Sequence, residues 1–151
     1  MASRLEFGRP QPLLNGLSFI YNVSEHVGPK FISGAVRSSS PLLKVTNPFD
    51  DVQLVQFFLN AVGDPKVALT PTPTGVFDVQ TGFWIYHQQN LFGGGDVDGV
   101  VSPAKGVTFA GKFYFIGILN SQFKVQFGQA AFEDIPNRPE LGPSLRASLS
   151  P

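Results

Sequence analysis

The sequence predicts a mainly α protein: a three-helix core, an N-terminal arm carrying a β-strand or hairpin, and an extended, proline-rich C-terminal tail. Three observations carry this expectation. Val52, Val55, Leu59 and Val62 recur at helical spacing. Two glycine-turn units, one around Gly75 and one around Gly99, precede helix starts and lie 24 residues apart. Finally, Phe109, Phe113, Ile116, Asn120, Phe123 and Phe127 follow a three-four spacing that reads as one long third helix with an aromatic stripe.

Residues 1–46 form the arm. Leu17, Phe19, Tyr21 and Val23 alternate with Ser18, Ile20, Asn22 and Ser24, the period of a half-buried strand. Val27-Gly28-Pro29 reads as a turn, and residues 31–37 as a returning strand of a hairpin. A lone hairpin is marginal in water, so it must lie on the helical core or on a neighbour. Ser38-Ser39-Ser40-Pro41 reads as a linker.

The helical body spans residues 47–128. Asn47-Pro48 offers an N-cap and a proline at the first helical position, with Asp50 and Asp51 in the dipole-favoured first turn. Gly63-Asp64-Pro65 ends this helix. Asp78 caps the second helix, residues 79–91, which Gly93-Gly94-Gly95 breaks. Ser102-Pro103 suits either a short turn or an early start to the third helix, in which Gly117 costs about 1 kcal/mol against alanine. Residues 129–151 form the tail. Pro136, Pro139 and Pro143 fall within eight residues, which argues for extended or polyproline backbone. The expected core is Val52, Val55, Leu59, Phe77, Ile85, Val101, Phe109, Phe113 and Phe123.

Composition removes several function classes. Net charge is zero and only 15% of the 151 residues are charged, so no electrostatic footprint for nucleic acid or anionic lipid exists. There is no cysteine, hence no disulfide or thiolate chemistry. No apolar h-region follows Met1-Ala2-Ser3-Arg4, so no secretory signal is expected, and the longest apolar stretch is too short for a bilayer. Two histidines, His26 and His87, without metal-ligand spacing, give no zinc site. No phosphate loop, dinucleotide fingerprint or nucleophile elbow is present, and Asp98 is better explained as the turn residue before Gly99 than as a catalytic or calcium carboxylate. The expectation is a protein with no catalytic residues, metal or cofactor. Its fifteen Phe residues exceed what one small helical core can bury, and surplus apolar surface becomes an interface.

Across residues 51–127 the chain resembles the peptidoglycan-binding-like domain, a small three-helix cell-wall-recognition module. Asp51, Val52, Val55, Gln56, Leu59, Asn60 and Gly63 fit its first helix. Gly75, Phe77, Thr81, Ile85 and Gln89 fit its second element, and Asp98, Gly99 and Val101 its third. Thr74, Asp78, Gln88, Ser102 and Lys105 depart from the family pattern. The family frame turns Val52, Val55 and Leu59 inward, so Leu54 and Phe57 point outward, as do Phe83 and Tyr86. With Phe19 and Tyr21 of the arm, these are the candidate subunit contacts. The resemblance also implies a glycan site near the turns, with Gln88, Gln89 and Asp98 as polar candidates.

Two functions of different class follow. The first is a non-enzymatic structural component of a bacteriophage virion or tail-like particle, assembled in the host cytoplasm. Its partners would be other copies of itself and other virion proteins, held through outward aromatics and extended arms. The alternative is a module that binds peptidoglycan of the host wall. Neither involves nucleic acid or a membrane.

Overall fold

The computed structural model describes residues 1–30, 44–64 and 70–151. It begins with a hairpin: strand β1 (Ser3–Gln11) pairs antiparallel with β2 (Leu17–Asn22). The register sets Arg4 opposite Tyr21 and Leu5 opposite Ile20, then shifts between Glu6 and Gln11. A 3-10 turn over Pro12–Leu14 closes the loop, with Asn15 and Gly16 at φ 56° and 86°. The partner of β2 therefore precedes it in the chain; the return strand expected over 31–37 and the linker at 38–41 lie outside the described residues.

β2 is buried on both faces. Leu17, Phe19, Ile20, Tyr21 and Val23 all lie in the core. One side takes the β1 ladder, and α3 (Phe115–Phe127) supplies the other. There the Asn120 side chain accepts from the Tyr21 N–H at 2.8 Å and donates to the Tyr21 carbonyl at 2.9 Å, standing in for a neighbouring strand. The Phe132 ring packs at a tilt against Phe19 and Tyr21, and the Tyr21 hydroxyl donates to the Phe132 carbonyl at 2.9 Å. The segment expected to be an arm is thus part of the core.

Helix α1 (Phe49–Ala61) runs through the middle of the molecule, with residues 51–59 buried without a break. Helices α2 (Val79–Phe92), α3 and α5 (Pro143–Leu149) pack around it. Asn47 does not cap it. Its side chain instead brackets Gly28, accepting from the N–H at 2.9 Å and donating to the carbonyl at 2.8 Å, and Pro48 takes the cap position. The buried Asp51 carboxylate accepts from Ser24 N, Ser24 Oγ and Glu25 N at 2.8 to 3.0 Å, tying α1 to the chain leaving β2. Asp78 caps α2 as expected, accepting from the Thr81 N–H at 2.7 Å.

The third helix is shorter than its aromatic spacing implies. Residues 108–113 form a small hairpin, β3 (Thr108–Phe109) with β4 (Lys112–Phe113), whose two-residue loop Ala110-Gly111 has both φ angles positive. That turn cannot continue a helix, so α3 starts at Phe115 and Phe109 leaves the expected core for solvent, 72% exposed. Phe77 and Phe113 are half-buried, while Val52, Val55, Leu59, Ile85, Val101 and Phe123 lie inside as expected.

The tail is not extended. It folds as α4 (Gln129–Glu133), a 3-10 turn (Ile135–Asn137) and α5. Its prolines start these elements instead of preventing them: Pro143 occupies the first turn of α5 and Pro136 that of the 3-10 turn. Phe132, Ile135, Leu141, Leu145 and Leu149 are all buried, and α5 packs on α1 and β1. The expectation of a mainly α protein with a three-helix core is therefore overturned. The described residues form a mixed α/β fold of five helices, the N-terminal two-stranded sheet and the small second sheet.

Candidate functional site

The two glycine turns are held by the same device. From α1, the Gln56 side-chain oxygen accepts from the Gly75 N–H at 2.8 Å while its amide donates to the Val76 carbonyl at 2.9 Å. From α2, Gln89 accepts from the Gly99 N–H at 2.8 Å and donates to the Val100 carbonyl at 2.9 Å. Thr74 and Asp98 open their turns alike, each accepting from the N–H two residues on. Gly75 and Gly99 sit at φ +84° and +76°, a region open to glycine at no steric penalty. At Gly75 a Cβ would also strike the Phe49 ring at 2.4 Å.

These bonds give the glycan candidates a structural role. Gln88 and Gln89 are buried, Gln89 wholly engaged in its turn and Gln88 donating to the Leu59 carbonyl at 3.3 Å. Gln89 borders a groove beside the second turn with its side-chain polar atoms already committed to that turn. Asp98 spends Oδ1 on Gln89 and on the Val100 N–H, but it does line the same groove.

That groove is built around the hairpin. An open cavity of about 610 Å³ is bounded by Glu25, His26, Ser102, Lys105, Phe109 and Tyr114, among others. A smaller one of about 190 Å³ shares Ser102, Phe109 and Tyr114 and continues to Asp96 and Asp98. Each wall has an identifiable cause. Val27 pairs with Val101 through two backbone bonds of 2.8 and 2.9 Å, which places His26 beside Ser102. Gly28 permits this approach, since a Cβ there would lie 3.0 Å from the Gly99 carbonyl. The Asn22 side chain brackets Ala104 through its N–H and carbonyl at 2.9 Å, fixing the loop that carries Lys105. Lys112 pairs with Asp96 at 2.8 Å on the rim.

His26 Nδ1 and Ser102 Oγ are 3.0 Å apart. A hydroxyl so placed can be polarised by an imidazole, yet a working nucleophile also needs its base oriented by a third group and donors for an oxyanion. Among the described residues no carboxylate hydrogen-bonds His26, and no cluster of three or more His, Asp or Glu could hold a metal. What the groove offers is aromatic surface flanked by hydroxyl, imidazole, carboxylate and ammonium groups.

Four of the six candidate subunit contacts are covered by this chain itself. Phe19 and Tyr21 lie in the hairpin core. Leu54 and Phe57 are buried as well, because the tail folds over the side of α1 that the family frame leaves open. The Arg138 guanidinium sits 5.5 Å above the Phe57 ring, and Gln53 accepts from the Gly142 N–H at 2.9 Å. Phe83 and Tyr86 alone stay on the surface.

The sequence does not join Phe109, Tyr114, His26 and Ser102 in one site: Phe109 reads as core, His26 as a histidine without ligand spacing and Ser102 as a cap. The signal for the first two was Ala110-Gly111 between aromatic residues, a two-residue hairpin loop masked by a coincident helical spacing. His26 and Ser102 meet across 76 residues, and no local pattern encodes that. No family model, curated protein or solved structure matches the chain. None of the described helices is long and apolar enough to cross a membrane.

Proposed function

We propose that this chain is a non-catalytic recognition module whose groove between the second glycine turn and the β3–β4 hairpin takes a saccharide chain, with bacterial peptidoglycan as the ligand to test first. One observation carries the reading: a large aromatic ring, Phe109, is held in solvent at the lip of an open groove whose other walls combine Tyr114 and Pro103 with Glu25, His26, Ser102 and Lys105. Exposing a phenylalanine is unfavourable unless something covers it. The apolar C–H face of a pyranose suits an aromatic ring, and its hydroxyls suit Ser102, His26 and Asp96. The resemblance of residues 51–127 to a cell-wall-recognition module supports the same ligand class.

The experiment is retention on purified, insoluble peptidoglycan, with chitin as a second glycan. Phe109→Ala should lower retention at least fivefold with unchanged thermal unfolding, and Tyr114→Ala should lower it as much at some cost in stability, since that ring packs partly on the core. Wild type washing off both glycans, or binding that ignores both substitutions, would overturn the reading. Gln89 and Asp98 are unsuitable probes because their loss disorders the turn. As a non-enzyme, the chain should not clear a turbid peptidoglycan suspension.

A second reading, a structural component of a bacteriophage virion or tail-like particle, draws on Phe83 and Tyr86, which remain outward on α2. Extended arms no longer support it, since both termini fold onto their own chain. Purified particles from an infected host, probed for this chain by mass spectrometry, test it directly.

A further inference from the structure

The outer face of α2 carries a ridge. Val79, Phe83 and Tyr86, at positions i, i+4 and i+7, are 89, 55 and 56% exposed. Beside the ridge lies a groove of about 750 Å³, with Phe49, Val76 and Phe77 among its walls. Gly82 deepens it: the space a side chain would fill there is bounded by the Phe77 ring at 3.3 Å. A protruding aromatic ridge and an apolar hollow thus share one face of one molecule.

We infer that this face pairs with the same face of a second copy about a two-fold axis, each ridge entering the other's groove. Three features select a second copy as the occupant. An isologous interface must be self-complementary, and a face holding both knob and hole meets that requirement. The charge pattern agrees: α2 contains no Asp, Glu, Lys or Arg along its 14 residues, and its His87, stacked on Phe83, is paired with Asp64 at 3.2 Å, so the face holds no cluster of like charges. The groove is flanked by one residue of each sign, Lys30 and Asp78, and a two-fold operation allows each to face its opposite. A charged or polar partner would gain little from α2 and would desolvate groups to reach it. The dimer face is built on α2 and the first glycine turn, whereas the saccharide groove is built on the hairpin and the second turn, so the inference stands apart from the proposed function.

The test is sedimentation equilibrium of the full chain from about 1 to 200 μM, with Phe83→Glu and Tyr86→Lys as separate variants and Phe109→Ala as control. Wild type and Phe109→Ala should move with concentration toward twice the monomer mass of 16.3 kDa. Each α2 variant should raise the dissociation constant at least tenfold while circular dichroism stays unchanged; Tyr86→Lys should also leave thermal unfolding unchanged, whereas Phe83→Glu gives up the ring's stack on His87 and its edge contact with Trp84 and should unfold at a slightly lower temperature. A wild-type chain that stays monomeric throughout overturns the inference. So does a dimer that survives both α2 substitutions, or one lost on Phe109→Ala with the α2 variants unaffected.

Discussion

Gln89 on α2 accepts from the Gly99 N–H at 2.8 Å, and in doing so fixes a turn ten residues further along the chain. The same side-chain oxygen accepts from Asp98 N–H at 3.1 Å, and its amide donates to the Val100 carbonyl at 2.9 Å. Replacing Gln89 with Leu would fill a similar volume but leave those backbone groups without partners. Gly99 and Val100 are buried, so water cannot replace the lost bonds. At about 1–3 kcal/mol per unsatisfied buried group, Gln89→Leu should cost at least about 2 kcal/mol in urea unfolding. Gln56→Leu should cost a similar amount through the buried Gly75 N–H and Thr81 hydroxyl. A loss below 0.5 kcal/mol for both would show that the turns hold themselves (about the scatter of an ordinary surface substitution).

The C-terminal segment should behave as core. Leu145 and Leu149 are fully buried on a helix that packs on α1 and β1. Leu145→Ala should lower stability by about 2–5 kcal/mol, the range for a leucine cavity that collapses only in part. Ending the chain at residue 137 should be worse, uncovering the α1 surface around Gln53 and removing Arg138 from the Phe57 ring. A truncated chain with an unchanged urea midpoint would refute this packing.

How much of this was legible depended on the range of the signal. The boundaries of α2 were readable because caps, glycines and periodicity act within a few residues, as Asp78 and Gly93 show, and α1 starts one residue late because Asn47 is drawn off to Gly28. β1 left a trace in the alternation of Leu5 and Phe7 with Arg4, Glu6 and Gly8, diluted by the Gly8 bulge and two prolines. The tail was misread because proline both ends helices and begins them, and only the buried leucines behind Pro143 tell the cases apart. Leu54 and Phe57 read as outward because what covers that side of α1 is distant in sequence: Phe123 of α3 and Arg138 lie against the Phe57 ring, and α5 packs on α1. The groove is a tertiary product throughout, joining β2's exit, the second turn and the hairpin.

Alkaline stability should report on Tyr21. Burial pushes its hydroxyl well above the ordinary value of 10.0, with Glu133, Asp134 and Glu6 adding to the shift and Arg4 opposing it. A group whose folded pKa is raised gives stability that is full below the unfolded pKa and is lost as pH rises past it. The chain should therefore lose stability progressively above about pH 10. Tyr21→Phe should flatten that limb while costing about 1 kcal/mol at neutral pH through the lost bond to the Phe132 carbonyl. An alkaline limb of the same slope in the variant would assign the loss to other groups.

Asn120 offers the sharpest test that the hairpin belongs to the core. Its amide donates to the carbonyls of Tyr21 at 2.9 Å and Ile116 at 2.7 Å, and its oxygen accepts from Tyr21 N–H. Asn120→Asp keeps the shape and the acceptor but, when ionised, sets a carboxylate against two carbonyl oxygens in a fully buried site. Desolvation and those carbonyls both raise the pKa of the new carboxyl in the folded state, above about 3.9 when unfolded. Protonation restores one donor, so the variant's deficit should be smallest near pH 4 and grow as pH rises through the folded pKa toward neutrality. At pH 7 it should exceed about 2 kcal/mol, the scale of a buried hydrogen bond lost with a charge left unpaired. Urea midpoints of variant and wild type compared between pH 4 and 7 decide it. A small, pH-independent difference would mean that α3 does not close the open edge of β2, and that the N-terminal hairpin is held by something other than Asn120.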